Sequence, residues 1–473
     1  MKAEISGQED QAHGAFKGYW LVGCTMALLH GLLFLHDLAG DAGFRRADRA
    51  QQRFATMKAL MESVGSYDTF IATLVRQGNI GDYGVHTLLY SMGGYLAVTA
   101  FESLLAVLSI VCVVYIALRV FRSEKFAVVA AFAYALLPQS LAFPHQLLSE
   151  SLSNPLAIFG TAAFLKAFEA PSKWWPWIVS GLFLGLAGMT RPALILLPLV
   201  AATLLLMFDR RIVTVRQAGS VVVAGLVPFV AWGLFMQAHT GKFGFGESNQ
   251  DLGLNLSQST AKVLLMVGLA PADGTPPAWL PERLTLPQYF DFVRAHPKGY
   301  ANLYLKNVFV LVSDSGIGRL YVDLLGFGAE ARMKLQDPGT GWRAQLTNNG
   351  LIAMLKYGMT VAPGTIIAGV LGALGFAILN VGLLVAYVVM LKRGSVLWNP
   401  TASLEQRWGS AFLLIVPLYV IVTSQVVAYA PSRLRSQGEF AWAILACFGW
   451  AVVYAWIRAR RRTAPQAEQQ HAV

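Results

Sequence analysis

Long runs of apolar residues, separated by short polar stretches, dominate the sequence. A helix that crosses the hydrocarbon core of a bilayer needs about 20 predominantly apolar residues in a row. The pattern predicts an all-α fold, a polytopic integral membrane helical bundle of about ten spans with interfacial helices and loops on the outer side. The predicted spans are 18–36, 99–121, 126–142, 149–168, 174–190, 192–208, 217–238, 363–391, 409–429 and 438–457.

Composition supports this interpretation. Of the 473 residues, 55% are hydrophobic and only 13% are charged, whereas soluble domains carry about 25% charged residues. The three cysteines lie singly within apolar runs, a placement that does not match the spacing of a zinc site or a disulfide framework. These features exclude an ordinary soluble domain.

Two long segments interrupt the predicted spans, at 37–98 and 239–362. In the first, apolar residues recur at helical spacing over 54–64, which predicts a helix on the membrane surface or against the spans. The stretch 86–98 is apolar but contains Gly93-Gly94, so we predict a re-entrant or interfacial segment.

The second segment is rich in Gly, Pro, Asp and Asn, and within it 286–295 and 300–312 are predicted to be helical. The latter is apolar enough to be an eleventh span as an alternative. The chain therefore divides into an N-terminal transmembrane module, a large outer loop region, C-terminal transmembrane helices and a cytoplasmic tail. Their bounds are 1–238 with its first outer loop 37–98, then 239–362, 363–458 and 459–473.

The distribution of Lys and Arg predicts the orientation of the chain, because positive charges favour the cytoplasmic side. Basic residues concentrate in every second connection, whereas the turn at 143–148 has no Lys or Arg. This predicts cytoplasmic N- and C-termini. The basic cluster over 458–462 directly follows an apolar run and is interpreted as a membrane anchor rather than as a nucleic-acid binding segment.

Three arginines depart from this pattern. Arg191, Arg433 and Arg435 fall in short turns on the predicted outer side. Snorkelling of long side chains is one explanation. Convergence of the three cations on an anion is the alternative that we favour.

Several short motifs then follow one another in a fixed order over about 80–458, and this order resembles the GT-C glycosyltransferases. These integral membrane enzymes include the protein O-mannosyltransferases, the lipid A aminoarabinose transferases and many bacterial cell-surface sugar transferases. The matching stretches are Gly81–Tyr90, Pro138, Ser149-Glu150, the glycines Gly181 and Gly185, Thr190-Arg191-Pro192, Gly253–Leu256 and Ser432–Arg435.

The resemblance implies a hexosyl- or pentosyltransferase that moves a sugar from a polyprenyl-phosphate carrier to a glycan, lipid or protein acceptor outside a membrane. It also implies a bacterial inner (plasma) membrane location and an inverting mechanism with a carboxylate as general base. The first outer loop supplies three candidate bases, ranked Asp68, Asp41 and Glu62. Asp68 ranks first because it lies in a helix-like run that ends at Gly78.

The departing phosphate requires cations or a divalent metal, which is a candidate cofactor. The resemblance assigns donor phosphate binding to Arg191, Arg433 and Arg435, and it assigns a supporting or metal-orienting role to Asp82, His145 and Glu150. Structural alternatives remain open for these last three: turn formation for Asp82, an interfacial position for His145, and stabilisation of a helix start for Glu150. Gly181 and Gly185 are predicted to allow close helix packing.

Two other classes of protein stay open. A transporter or flippase of a lipid-linked or small polar substrate would place ionisable residues or broken helices near mid-membrane. The predicted spans contain few acids, and the polar residues concentrate on one side, which favours an enzyme. A non-catalytic partner of such an enzyme is the third possibility.

Overall fold

The computed structural model describes residues 2–40, 55, 57–62, 80–241, 243, 248–270, 276–313, 315–317, 342–424 and 435–470, and no β-strand occurs in these ranges. The first half of the bundle contains α1 (Lys2–Gly40), α2 (Ile80–Phe121), α3 (Glu124–Ala135), α4 (Pro138–Ala142), α5 (Glu150–Ala167), α6 (Trp175–Thr190), α7 (Leu197–Phe208) and α8 (Ile212–Thr240). The second half contains α9 (Ser248–Met266), α10 (Leu286–Ala295), α11 (Pro297–Ser313), α12 (Trp342–Val361), α13 (Pro363–Leu391), α14 (Leu404–Ser424) and α15 (Glu439–Gln470).

Within the described residues, the predicted spans fall on these helices; 126–142 falls on α3 and α4, and 192–208 falls on the 3-10 turn Pro192–Leu194 and α7. The end of the predicted span 409–429 lies outside the described residues. The all-α, polytopic class is confirmed. Six helices in the described ranges are long and apolar enough to cross a membrane, or seven if one bent pair is a single span. That pair is Glu124–Ala135 with Pro138–His145, bent by 63°. The bend lies where Leu137 precedes Pro138, because a residue before proline avoids the helical conformation; Leu137 is extended, with φ −63° and ψ 133°.

The glycine pair Gly93-Gly94 divides α2. Gly94 has φ 63° and ψ −152°, a conformation that favours glycine because it has no Cβ. The helix therefore breaks within the apolar stretch 86–98, and the re-entrant or interfacial placement of that stretch stays a prediction. The break lets the segment before it approach the segment after it, with consequences for the candidate site.

Close packing of α6 on α8 depends on glycines. A Cβ atom on Gly181 would lie 2.3 Å from the Val221 carbonyl oxygen, and one on Gly185 would lie 2.3 Å from the Gly225 carbonyl oxygen. Larger residues would separate the two helices, since small residues permit such backbone approach. The packing role predicted for both glycines is confirmed.

Ion pairs join several helix ends at the end of the bundle where α2 and α5 finish. Arg119 pairs with Glu405 and Glu169, Arg122 Nη2 lies 3.4 Å from Glu405 Oε2, and Lys166 pairs with Glu169. Burial raises the pKa of Glu169, but its bonds to Lys166 and Arg119 outweigh that effect and hold the pKa below its usual value. The basic residues of this cluster are all predicted to face the cytoplasm, and the structure places them together.

We predict that single cysteines at positions 48 and 273 will react with an impermeant thiol reagent from outside, and that a cysteine at position 461 will react only after permeabilisation. The positive-inside bias supplies the reason. Residues Asp48 and Asp273 lie outside the described residues. The background should lack the native cysteines Cys24, Cys112 and Cys447. Labelling of positions 48 and 273 from opposite sides would contradict the topology and with it the outer location of both loops.

Candidate functional site

A buried ion pair joins the start of α5 to the end of α6. Glu150 is the first residue of α5 and is fully buried, and it pairs with Arg191, whose side chain is 12% exposed. Ser149 Oγ donates a hydrogen bond to Glu150 Oε2 at 3.1 Å. Arg191 is extended, with φ −145° and ψ 107°, as expected for a residue before a proline. The structure therefore brings together two residues that the sequence proposed separately.

A second buried cluster lies on α2 and contains Asp82, His86 and Glu102. His86 Nδ1 lies 2.9 Å from Asp82 Oδ1, and His86 Nε2 lies 2.6 Å from Glu102 Oε1. Residues 16 apart would be separated by about 24 Å along a straight helix, so the break at Gly93-Gly94 makes this contact possible. An imidazolium donates from both nitrogens, which suits a ring placed between two carboxylates.

Sequence reasoning missed His86 and Glu102 as site residues. Glu102 lies within the predicted span 99–121, where an ionisable side chain is costly and therefore signals function or a specific partner. That signal was present in the sequence, but its partner could not be identified there.

The two clusters are in direct contact. Ser151 Oγ lies within hydrogen-bond distance of both Glu102 Oε1 and the Leu148 carbonyl oxygen, and its single proton is shared between these two acceptors. Ser151 immediately follows Glu150. At the other end, a Cβ atom on Gly81 would lie 3.0 Å from the Thr190 backbone nitrogen, so the start of α2 packs on the residue before Arg191. The Asp82–His86–Glu102 line therefore connects the two segments that carry the Glu150–Arg191 pair.

His145 belongs to a short 3-10 turn, Phe143–His145, and it is buried. Its Nε2 lies 3.3 Å from His30 Nδ1 on α1, and the two rings are stacked with centroids 5.5 Å apart. Tyr95 donates a hydrogen bond to the His145 carbonyl oxygen at 3.1 Å. The contact between the two imidazoles is favourable when one nitrogen donates and the other accepts, so His145 has a partner within the bundle rather than a plain interfacial position.

A small cavity, of about 20 Å³, lies beside Glu150 between α2, α4 and α5. Gln139 and Asn154 line it, together with Ser109 and Tyr134. Neither amide atom of Gln139 has a hydrogen-bond partner in the described part of the chain, although the side chain is 1% exposed. A cavity of this size has room for one water molecule.

Arg435 lies among α11, α13 and α15. It is fully buried, its Nε lies 3.0 Å from Glu439 Oε1, and its Nη1 donates to the Leu311 carbonyl oxygen. The guanidinium also stacks over the Phe376 ring at 3.8 Å. These contacts tie it to the packing of the bundle, and its predicted contact with a phosphate stays a prediction.

None of the three candidate bases is seen in the buried clusters that the described residues form. Asp41 and Asp68 lie outside the described residues, as does Arg433. Glu62 is the last described residue of a helical stretch over 57–62; its side chain is 68% exposed, and its Oε1 lies 3.8 Å from Lys58 Nζ. It is therefore solvated rather than part of the buried clusters, and which carboxylate acts as base stays a prediction.

In the ranges that the structure describes, no group of three His, Cys, Asp or Glu side chains is arranged to hold a metal ion. At His86 both ring nitrogens face carboxylates. These residues therefore do not form a complete ligand set by themselves.

Comparison with known proteins places this geometry in a family context. Residues 86–235 match the model of the dolichyl-phosphate-mannose-protein mannosyltransferases, a family of GT-C type. The predicted resemblance to GT-C membrane glycosyltransferases is confirmed. The matched segment includes His86, Glu102, Glu150 and Arg191, and with the apolar helices it identifies an integral membrane protein.

Other comparisons add less. No curated protein gives a significant match to the sequence. The solved structure of the archaeal oligosaccharyltransferase AglB from Archaeoglobus fulgidus, in complex with an inhibitory peptide and a dolichol-phosphate, is similar with a TM-score of 0.47 and 12% identity. That superposition covers 95% of this chain and 52% of the other, so the chain spans about half the length of AglB. A likeness of this degree supports no conclusion about activity.

Proposed function

We propose that this protein transfers a sugar from a polyprenyl-phosphate carrier to an acceptor on the outer side of a bacterial inner membrane, with both termini in the cytoplasm. The observation that carries the proposal is the Glu150–Arg191 pair within the segment that matches the family model. Arg191 is a partly accessible cation at the end of the bundle opposite the basic cluster that is predicted to face the cytoplasm. A membrane-embedded cation at such a place is expected to have a functional reason.

The chemistry of the donor explains what Arg191 would do. When the anomeric carbon–oxygen bond breaks, the carrier leaves as a phosphate with increased negative charge. A guanidinium stabilises that charge through paired, charge-assisted hydrogen bonds, and Glu150 would hold the guanidinium in orientation. The same phosphate-binding role is proposed for Arg433 and Arg435; the Arg435 Nε also lies 3.0 Å from Glu439 Oε1.

An inverting displacement also needs a base. The acceptor oxygen forms a bond to the anomeric carbon as the bond to phosphate breaks, and the acceptor proton passes to a carboxylate. We propose that the first outer loop supplies this carboxylate, with Asp68 ranked before Asp41 and Glu62. Asp82 and Glu150 are buried beside other partners, which suits support better than exchange of protons with an acceptor.

We predict that one of Asp68→Asn, Asp41→Asn and Glu62→Gln will lose about 10²–10⁴-fold in turnover, the usual contribution of a general base, while it still binds donor. The measurement is transfer from labelled polyprenyl-phosphate sugars by purified protein. Asp291→Asn is the matched control, because Asp291 is an exposed acid on α10 that pairs with Arg294 in a surface contact. Near-normal turnover in all three variants would remove the carboxylate-base mechanism.

Transport remains the second candidate, and one observation favours it. The His86–Glu102 contact places an ionisable pair inside an apolar helix, as transporters often do. Reconstitution in liposomes with a lipid-linked sugar distinguishes the two. Movement of the lipid between leaflets without sugar transfer would support a flippase, and binding of polyprenyl phosphate with neither activity would support a non-catalytic partner.

A further inference from the structure

The buried cluster of Asp82, His86 and Glu102 on α2 lies between the segment that carries Glu150 and the segment that carries Arg191. At one end Ser151 donates to Glu102, and Ser151 is the residue after Glu150. At the other end Gly81, beside Asp82, packs against the backbone of Met189 and Thr190 next to Arg191. Asp82, His86 and Glu102 are each at most 1% exposed.

We infer that Glu102 and Ser151 are positioning residues that orient the Glu150–Arg191 pair for its anionic ligand. The inference rests on the proposed function, since it assigns the ligand as the phosphate of a carrier lipid. It goes beyond that proposal because neither the family resemblance nor the sequence motifs assign a role to Glu102 or Ser151.

The geometry explains how orientation is transmitted. Ser151 lies in the first turn of α5, so its bond to Glu102 restrains the helix start on which the Glu150 side chain sits. Glu102 is itself restrained by His86, which is restrained by Asp82. The Glu150 carboxylate, restrained in this way, would fix the plane of the Arg191 guanidinium. A guanidinium forms two parallel hydrogen bonds to a phosphate only when its plane is aligned with the phosphate oxygens.

The test compares two serines that the bundle buries in neighbouring helices. Ser151→Ala removes the donor to Glu102. Ser180→Ala is the control, because Ser180 is also fully buried and donates to the Gly160 carbonyl oxygen where α6 packs on α5, away from the ion pair. Ser151→Thr keeps the hydroxyl and serves as the rescue variant.

We expect Ser151→Ala to weaken the binding of a sugar-free polyprenyl phosphate by about tenfold, the effect of losing one hydrogen bond to a charged group. Ser180→Ala and Ser151→Thr should stay close to the full-length wild-type protein. Glu102→Leu, which removes the acceptor of the Ser151 bond, should resemble Ser151→Ala, and the double variant should be no worse than either single variant, because both changes interrupt the same connection.

A second readout does not need the ligand. We expect the rate at which phenylglyoxal modifies Arg191, followed by mass spectrometry, to depend on how firmly Glu150 holds the guanidinium. The rate should rise in Ser151→Ala and stay unchanged in Ser180→Ala. Equal rates and equal affinities in the two serine variants would overturn the inference. Failure of wild-type protein to bind polyprenyl phosphate would instead contradict the proposed function, while the modification rates would still decide the positioning role.

Discussion

Replacing Arg191 with alanine is expected to lower the affinity for polyprenyl phosphate by at least about 30-fold. The reason is that Arg191 and the bound phosphate would form a buried, hydrogen-bonded charge pair, and truncating one partner of such a pair costs about 2–5 kcal/mol of binding free energy. Turnover with a sugar donor should fall at least as much, since the departing phosphate carries more charge than the bound donor. Arg191→Lys should also be impaired, because an ammonium cannot reproduce the planar, paired geometry of a guanidinium.

Arg191→Ala alone also leaves Glu150 buried without this partner, so stability and binding must be separated. The double variant Arg191→Ala/Glu150→Gln removes both charges and should regain most of the lost thermal stability, since a neutral amide is less costly to bury than a carboxylate. It should not regain phosphate binding.

Arg211→Ala is a suitable control for loss of an arginine. Arg211 is an exposed residue that pairs with Asp209 in the connection before α8, on the predicted cytoplasmic side. Recovery of phosphate affinity in the double variant, or an equal loss of affinity in the Arg211 variant, would show that Arg191 acts only through the fold.

Replacing His86 with leucine is expected to be the most destabilising single change in the site. Asp82 and Glu102 would then face each other across an apolar side chain in a region that is closed to solvent. Removing one partner of a buried ion pair typically costs about 3–5 kcal/mol. The folded fraction in detergent, followed through a denaturant titration, measures this effect.

A second substitution tests whether the repulsion between Asp82 and Glu102 causes the loss of stability in His86→Leu. Adding Glu102→Gln to His86→Leu removes one of the two opposed carboxylates and should restore a large part of the lost stability. His239→Leu is the control, because His239 is an exposed histidine near the end of α8. The explanation is wrong if the double variant is no more stable than His86→Leu, or if the His239 variant loses as much stability.

Much of the architecture follows from local pattern. The all-α, membrane-spanning class could be predicted because a backbone in lipid must satisfy its own hydrogen bonds, which apolar helices do without any tertiary contact. The packing role of Gly181 and Gly185 was predictable for a similar reason, since small residues spaced along one helix face signal close approach whatever the partner is. Arg191 was identified as a candidate because it falls on the side that the positive-inside bias disfavours, and Glu150 was identified through the resemblance.

Partnerships between distant residues were decided only by the tertiary structure. The sequence placed His86 in an interfacial stretch and Glu102 in a span, and only the break at Gly93-Gly94 brings them within 2.6 Å. Arg435 fell in an outer turn by its sequence position, yet it donates to a carbonyl oxygen 124 residues away and is fully buried. Periodicity and charge are properties of neighbouring residues and determine where helices form. Which polar groups meet depends on how those helices bend and pack, and that information is shared among segments far apart in the chain.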